Sequence, residues 1–294
     1  MTTPPSRRAT RSRDHRRQVS GGWGRVAADR RLGRVPLLGM ALLPALVAWM
    51  IAGMTGAVLT LLAGVAATLV LPSVPVSGHM RLAGARPVPP DRALRLRAHL
   101  TDLAAQAGLR QVPDLYHLSG GPNAFSVGGP DAAGIALSHG LVTLLPEQEL
   151  RAVLAHEIAH LAAGDIRLMR FGEVMNRICN VVAMTGLVWI LVRFLLDGVM
   201  IVPDWVCWVL ALAPTGVSLL QRWFSRAREF AADARAAGLL GSPRPLAKAL
   251  ARIEMSRRFS PGLTAAEMAG FRTPVWLRTH PPTEERLRRL EDLL

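Results

Sequence analysis

Cysteine is scarce in this chain. Its 294 residues include only Cys179 and Cys207, both inside apolar stretches. That excludes a disulfide framework, and without paired Cys-x-x-Cys spacing it excludes a thiolate metal site. The two are expected to be small core residues and say little about redox compartment. Aromatic residues are also few, 5% with a single Tyr. The hydrophobic half of the chain is therefore mostly Leu, Val and Ala, and the mean hydropathy is +0.26. Such a composition suits helices in lipid better than a β-sandwich core. Acidic residues number 21 against 35 basic ones, a formal charge of +14. Clustered Arg could neutralise phosphates. Here about ten of the Arg fall in the first 34 residues and most others flank apolar stretches, with no zinc-finger spacing or RNP-like strand beside them. No nucleic-acid partner is expected.

Residues 1–34 are rich in Arg, Ser, Gly and Pro and lack apolar periodicity. This segment reads as a disordered basic arm that could lie on anionic lipid headgroups. From Val35 to Val74 the chain is almost continuously apolar, with no Asp, Glu, Lys or Arg between Arg34 and Arg81. That is about twice the ~20 residues needed to cross a bilayer, so residues 35–75 are expected to form a transmembrane hairpin turning near Gly53-Met54-Thr55-Gly56. The run is too long for a cleaved signal peptide. A second apolar pair, about Ile178–Leu196 and Met200–Leu220, is interrupted by Arg193, Asp204, Pro203 and Pro214. Residues 178–220 are read as a second hairpin, with a buried or interfacial hairpin as the alternative. Trp189, Trp205, Trp208 and Trp223 suit headgroup anchors. Arg crowds the arm, the stretch after the second span, the approach to the third and the exit of the fourth, while neither short turn carries Lys or Arg. By the positive-inside rule both termini and the middle section face the cytoplasm of a multi-pass cell-membrane protein.

The middle section, residues 76–177, opens with an amphipathic helix over about Asp91–Ala107, whose apolar face is Leu94, Leu96, Leu100 and Leu103. Strands are expected near 114–118, 124–127 and 134–143, between Gly/Pro-rich turns. Pro146 then opens a helix reaching about Phe171, with Glu147 and Glu149 in the first turn, where the dipole favours negative charge. Residues 221–294 are expected to hold a helix over about Gln221–Leu239 and a last one after Pro281-Pro282.

The strongest chemical signal is His156-Glu157-Ile158-Ala159-His160. On a helix, positions i and i+4 share a face, so both imidazoles can reach one metal ion, and Glu157 can act as general base toward water there. The metzincin continuation needs a glycine and a third histidine further along; Ala163 and Ile166 stand in those places, which excludes that class. Among downstream acids Glu229 stands out as a third ligand, with Asp233 one turn on and able to accept the second N–H of a ligating histidine. The plainer reading makes both solvated helix charges. His117 and His139 are read as structural or surface residues, and His15, His79 and His99 lack partner spacing.

Four motifs in order resemble the HtpX-type and CAAX-prenyl-protease group of membrane zinc endopeptidases. They are Asn123-Ala124-Phe125, Leu154 to His160 followed by Gly164-Asp165, Ser225-Arg226 with Glu229 and Asp233, and Thr279-His280-Pro281-Pro282 leading to Glu285-Arg286. The resemblance covers about Asp91–Leu294. It implies that His156, His160 and Glu229 bind one Zn2+ and that Glu157 activates water. It also implies that Asn123, Ala124 and Phe125 form an edge strand for an extended peptide, that His280 donates to the developing oxyanion, and that Arg286 adds positive charge nearby. The plainer readings are a helix-start residue for His280 and a solvated charge for Arg286. Ser126-Val127 departs from the Ala-Thr frequent after Asn-Ala-Phe in HtpX-type proteins, and the long basic arm is also untypical.

The expected architecture is a mainly α membrane protein: about four transmembrane helices and a cytoplasmic α+β zincin-like catalytic domain. The expected function is a membrane-embedded zinc metalloendopeptidase acting on polypeptides, membrane proteins among them, in quality control. The alternatives are a processing protease for specific, even prenylated, peptides, and a non-catalytic membrane scaffold with a vestigial zinc site.

Overall fold

The computed structural model describes residues 30–70, 75–129, 131–198, 202–259 and 282–293. Most of the basic arm and His280 lie outside them. The chain divides into two compact units, residues 30–75 with 165–227, and residues 76–164 with 228–294.

The first of these units is helical. Helix α1, Arg30–Val70, breaks where Ala52 and Gly53 leave helical geometry, Gly53 at φ 63 and ψ −156. A residue with a side chain resists that conformation, so glycine marks the turn. Beyond it the chain doubles back. A Cβ on Gly56 would lie 2.5 Å from the carbonyl oxygen of Ala48, a pair about 12 Å apart along a straight helix. Met40 and Gly64 would be ~36 Å apart in one rod. Both instead pack within one turn of helix α6, Asp165–Asp197: Met40 against Gly172, and Gly64 against Met175. Helix α7, Asp204–Leu240, takes in Pro214 without interruption.

Met40, Val47, Met175, Cys179, Leu210 and Val217 form a buried cluster among these helices. Asn176 accepts a hydrogen bond from Ser218 Oγ at 3.1 Å, joining α6 to α7. Outside that cluster Val35, Leu38, Val181, Leu195, Leu196 and Leu212 are exposed, as are Trp189, Trp205, Trp208 and Trp223. Apolar surface of that extent is stable against hydrocarbon and not against water. Among the described residues three helical stretches are long and apolar enough to cross a membrane, Val35–Ala66, Leu168–Asp197 and Asp204–Leu240. The first is the one folded back at Gly53. The protein is a mainly α membrane protein with one small sheet.

The other unit carries that sheet, in the order β1 (Arg86–Pro87), β2 (Asp114–Leu118), β4 (Ala133–Ser138), β3 (Ala124–Gly128). β2 and β4 are parallel, and β3 runs antiparallel to β4. Tyr116, Leu118, Phe125, Val127 and Ala136 pack on Met80, Ala83 and Ala85 from helix α2 (Val76–Leu82) and the residues after it. Helix α3, Leu94–Ala107, and helix α5, Glu147–Ala163, pack together, tied by Arg151 donating to Asp102. Glu149, buried in the first turn of α5, receives two bonds from Arg252, at 2.8 and 3.1 Å.

Several boundaries differ from the sequence expectation. The strand expected over 134–143 stops at Ser138, whose hydroxyl accepts from the Leu141 amide and caps a short helix α4, His139–Leu144. His139 is therefore helical, 6.3 Å ring to ring from the exposed strand residue His117. The helix expected to reach Phe171 ends at Ala163, because Gly164 adopts φ 69 and its amide closes on His160 and Leu161 carbonyls. The helix expected to begin near Gln221 is the C-terminal part of α7. Helix α8, Arg244–Phe259, has no counterpart in the expectation. The final helix, α9, spans Thr283–Glu291.

Candidate metal centre

Helix α5 is buried over nearly its whole second half, from Ala152 to Leu161. Its helical repeat brings His156 and His160 to one face, with ring centroids 4.7 Å apart. Their Nε2 atoms stand 3.2 Å from each other. Helix α7 supplies Glu229, with Oε2 at 3.5 Å from His156 Nε2 and Oε1 at 3.4 Å from His160 Nε2. Among the described residues these three side chains form a group able to hold a metal ion. The spacing tests the fit. Four donors at ~2.0–2.1 Å around a tetrahedral ion stand about 3.3–3.4 Å from one another. The two Nε2 atoms, and each of them with its nearer Glu229 oxygen, stand close to that edge, so the two histidines and the carboxylate across them fit a zinc-sized ion.

Behind the ligand atoms lies a second set of contacts. Asp233, one turn beyond Glu229 on α7, has Oδ1 at 3.0 Å from His156 Nδ1. Nδ1–H donating to this carboxylate selects the tautomer that leaves the Nε2 lone pair toward the centre. Asp233 in turn receives a bidentate pair from Arg286 of α9, Nε at 2.8 Å and Nη2 at 2.6 Å. Arg286 Nη1 also lies 3.6 Å from Glu229 Oε2. Arg289, on the same helix, stacks 3.7 Å over the Phe230 ring. The sequence expectation placed Arg286 as a positive charge toward substrate. The structure instead buries it and commits its fork to Asp233, because a guanidinium this deep needs an anionic partner.

His156, Glu157, His160, Glu229, Asp233 and Arg286 are all only 2–7% exposed. Three buried carboxylates thus face one buried guanidinium among the described residues, an excess of negative charge that suits a divalent cation. The imidazoles register the same field. Burial pushes His156 down, but the bonds to Asp233 and Glu229 outweigh it and leave its pKa raised. For His160 burial is likewise outweighed, here by Glu229 and then Glu157. Burial also opposes the Arg286 charge, yet Asp233 and Glu229 hold its pKa above the ordinary Arg value.

Glu157 sits beside this group, and its Oε2 accepts a 2.7 Å bond from Ser126 Oγ on β3. Just before that strand, the Asn123 carbonyl accepts from the Ser138 amide at 2.9 Å, and the Asn123 amide donates to Ser138 Oγ at 2.8 Å. At the other end of the ladder Gly129 N–H donates to Ala132 carbonyl. Directly opposed, bonded pairs alternate along an antiparallel ladder. Residues 123, 125, 127 and 129 therefore turn their peptide groups to β4, and those of Ala124, Ser126 and Gly128 point to the outer edge. Among the described residues no strand pairs with that edge. Of the three expected strand residues, Ala124 has outward peptide groups, while Asn123 and Phe125 face inward. Ser126 stood out in the sequence only as a departure from the family pattern. A lone hydroxyl residue in the apolar run Ala-Phe-Ser-Val was the available signal.

The model of peptidase family M48 matches residues 90–294, which include every one of these side chains. The chain belongs to peptidase family M48. A protease HtpX homolog from Trichormus variabilis is 32% identical over 85% of this chain and 91% of its own length. Another from Acaryochloris marina is 36% identical over 69% and 73%, and a third from Persephonella marina 30% over 73% and 80%. The crystal structure of S. mikatae Ste24p shares the fold at a TM-score of 0.50 and 20% identity, covering 80% of this chain and 57% of that one. Membership of M48 makes the chain a protease, and its apolar helices make it a membrane protein.

Proposed function

We propose that this M48 protein is a zinc-dependent endopeptidase of the cell membrane, with one Zn2+ held by His156, His160 and Glu229. The observation that carries the reading is two imidazole Nε2 atoms 3.2 Å apart, each faced by one oxygen of Glu229 at 3.5 and 3.4 Å, all buried, with an acid beside them and a carboxylate behind. A zinc ion at that position supplies Lewis acidity, acidifying water and polarising a carbonyl. Each protein group then has a defined task. Asp233 holds the His156 tautomer, and Arg286 holds Asp233. Glu157 takes the proton from the attacking water and returns it to the leaving amine. The outward peptide groups of Ala124 and Ser126 accept an extended substrate as an added strand. His280, outside the described residues, remains the candidate donor to the oxyanion.

Quality control of membrane proteins is the role we favour. Helices that suit lipid give access to such substrates. The relatives it matches over most of their own length are named protease HtpX homologs. The Arg distribution supports four spans with the catalytic unit and both termini in the cytoplasm.

The decisive experiment is zinc content and casein cleavage of detergent-purified wild type and Glu157→Gln. One zinc per chain in both, with cleavage by wild type alone, is the expected result. Cleavage by Glu157→Gln would overturn the assignment of the base, and zinc in neither would overturn the ligand set.

A further inference from the structure

Ser126 occupies an unusual place for a hydroxyl. Its neighbours Phe125 and Val127 enter the core against Met80 and Ala83. Alternation along the strand sends the Ser126 side chain to the other face, toward α5. At 5% exposure the ordinary occupant of such a position is apolar. The hydroxyl that stands there instead donates to Glu157 Oε2 at 2.7 Å. A bond to a carboxylate in a buried setting is stronger than one between neutral groups in water. A glutamate side chain has three torsions, and tethering one oxygen restricts where the other can point.

We infer that Ser126 is a positioning residue for the general base. By holding Oε2 it directs the second oxygen of Glu157. Because the peptide groups of the same residue face the outer edge of β3, it also links base orientation to the strand that a substrate extends. This rests on the proteolytic reading above.

The test compares wild type, Ser126→Ala and Ser126→Thr on a fluorogenic casein peptide, with zinc content checked for each. Ser126→Ala is expected to lower kcat about tenfold and leave KM within about twofold, since a misplaced catalytic group loses rate and not binding. Ser126→Thr, which keeps the hydroxyl, is expected to recover at least about half of the wild-type kcat. A second readout does not depend on turnover. In a Glu157→Gln background, peptide affinity by fluorescence anisotropy is expected to stay within about twofold when Ser126→Ala is added. Wild-type kcat in Ser126→Ala would overturn the inference. So would a loss carried by KM or by peptide affinity, which would make Ser126 a substrate-binding residue. Should wild type hold zinc and cut no better than Glu157→Gln, the proteolytic reading would fall and this inference with it. Normal cutting by wild type, none by Glu157→Gln and full activity in Ser126→Ala would sink the positioning role alone.

Discussion

Replacing Asp233 by Asn removes one charge and almost no volume, so it isolates the electrostatic part of the site. In the wild type this carboxylate meets His156 Nδ1 at 3.0 Å and takes two bonds from Arg286, at 2.8 and 2.6 Å. The amide of Asn can accept from one of these partners, but its NH2 end then faces a donor. Two consequences follow, and they differ in kind. Loss of a carboxylate behind a ligating histidine typically weakens metal binding by about 10–100-fold. Leaving Arg286 buried without its anion costs on the order of 3–5 kcal/mol of stability, although Glu229 at 3.6 Å offsets part of that. Adding Arg286→Met to Asp233→Asn removes the stranded charge. The double variant is therefore expected to regain much of the stability and none of the zinc affinity. Chelator-competition titration reads the affinity, and thermal melting of the metal-free protein reads the stability. Zinc affinity within about twofold of wild type in Asp233→Asn would refute the role given to this carboxylate. A double variant no more stable than the single one would refute the account of Arg286.

Three further outcomes test other parts of the structure. Protons compete with the metal for both imidazoles, and their pKa values are raised. Zinc retention is therefore expected to fall as pH drops from about 8 to about 5, beginning above the ~6.5 of a free histidine. The metal-free protein should behave oppositely. A raised folded pKa contributes stability below the unfolded value and loses it as pH rises through the folded one, so its melting temperature declines toward alkaline pH; an upward trend there would refute the raised imidazole pKa values. Gly164 stands at φ 69 with open space around its Cβ position. Gly164→Ala should thus cost only the backbone strain, about 1–2 kcal/mol, read as a lower melting temperature with zinc content unchanged.

Much of the site was readable in the chain because it rests on local periodicity. His156 and His160 face one another because the helix repeats every 3.6 residues. The apolar run from Val35 and the glycine at position 53 carry the folded-back helix in the same way. Strand 114–118 was bounded by its flanking turns. Where two local signals compete, the expectation erred. Ser138 can continue a strand or cap a helix, and only its bond to the Leu141 amide decides. Gly164 can sit inside a long helix or end one, and its positive φ ends it.

What the sequence by itself determined was therefore the membrane class, the family and the His-Glu-His face of one helix. Tertiary structure alone decided the rest of the site. It set the two oxygens of Glu229 against two imidazoles, turned Arg286 from a surface charge into the partner of Asp233, and placed Ser126 under Glu157. The reason is physical. A contact between residues 31, 53 or 73 positions apart leaves no periodic trace in either segment, and it exists only once sheet and helices pack and water is excluded between them.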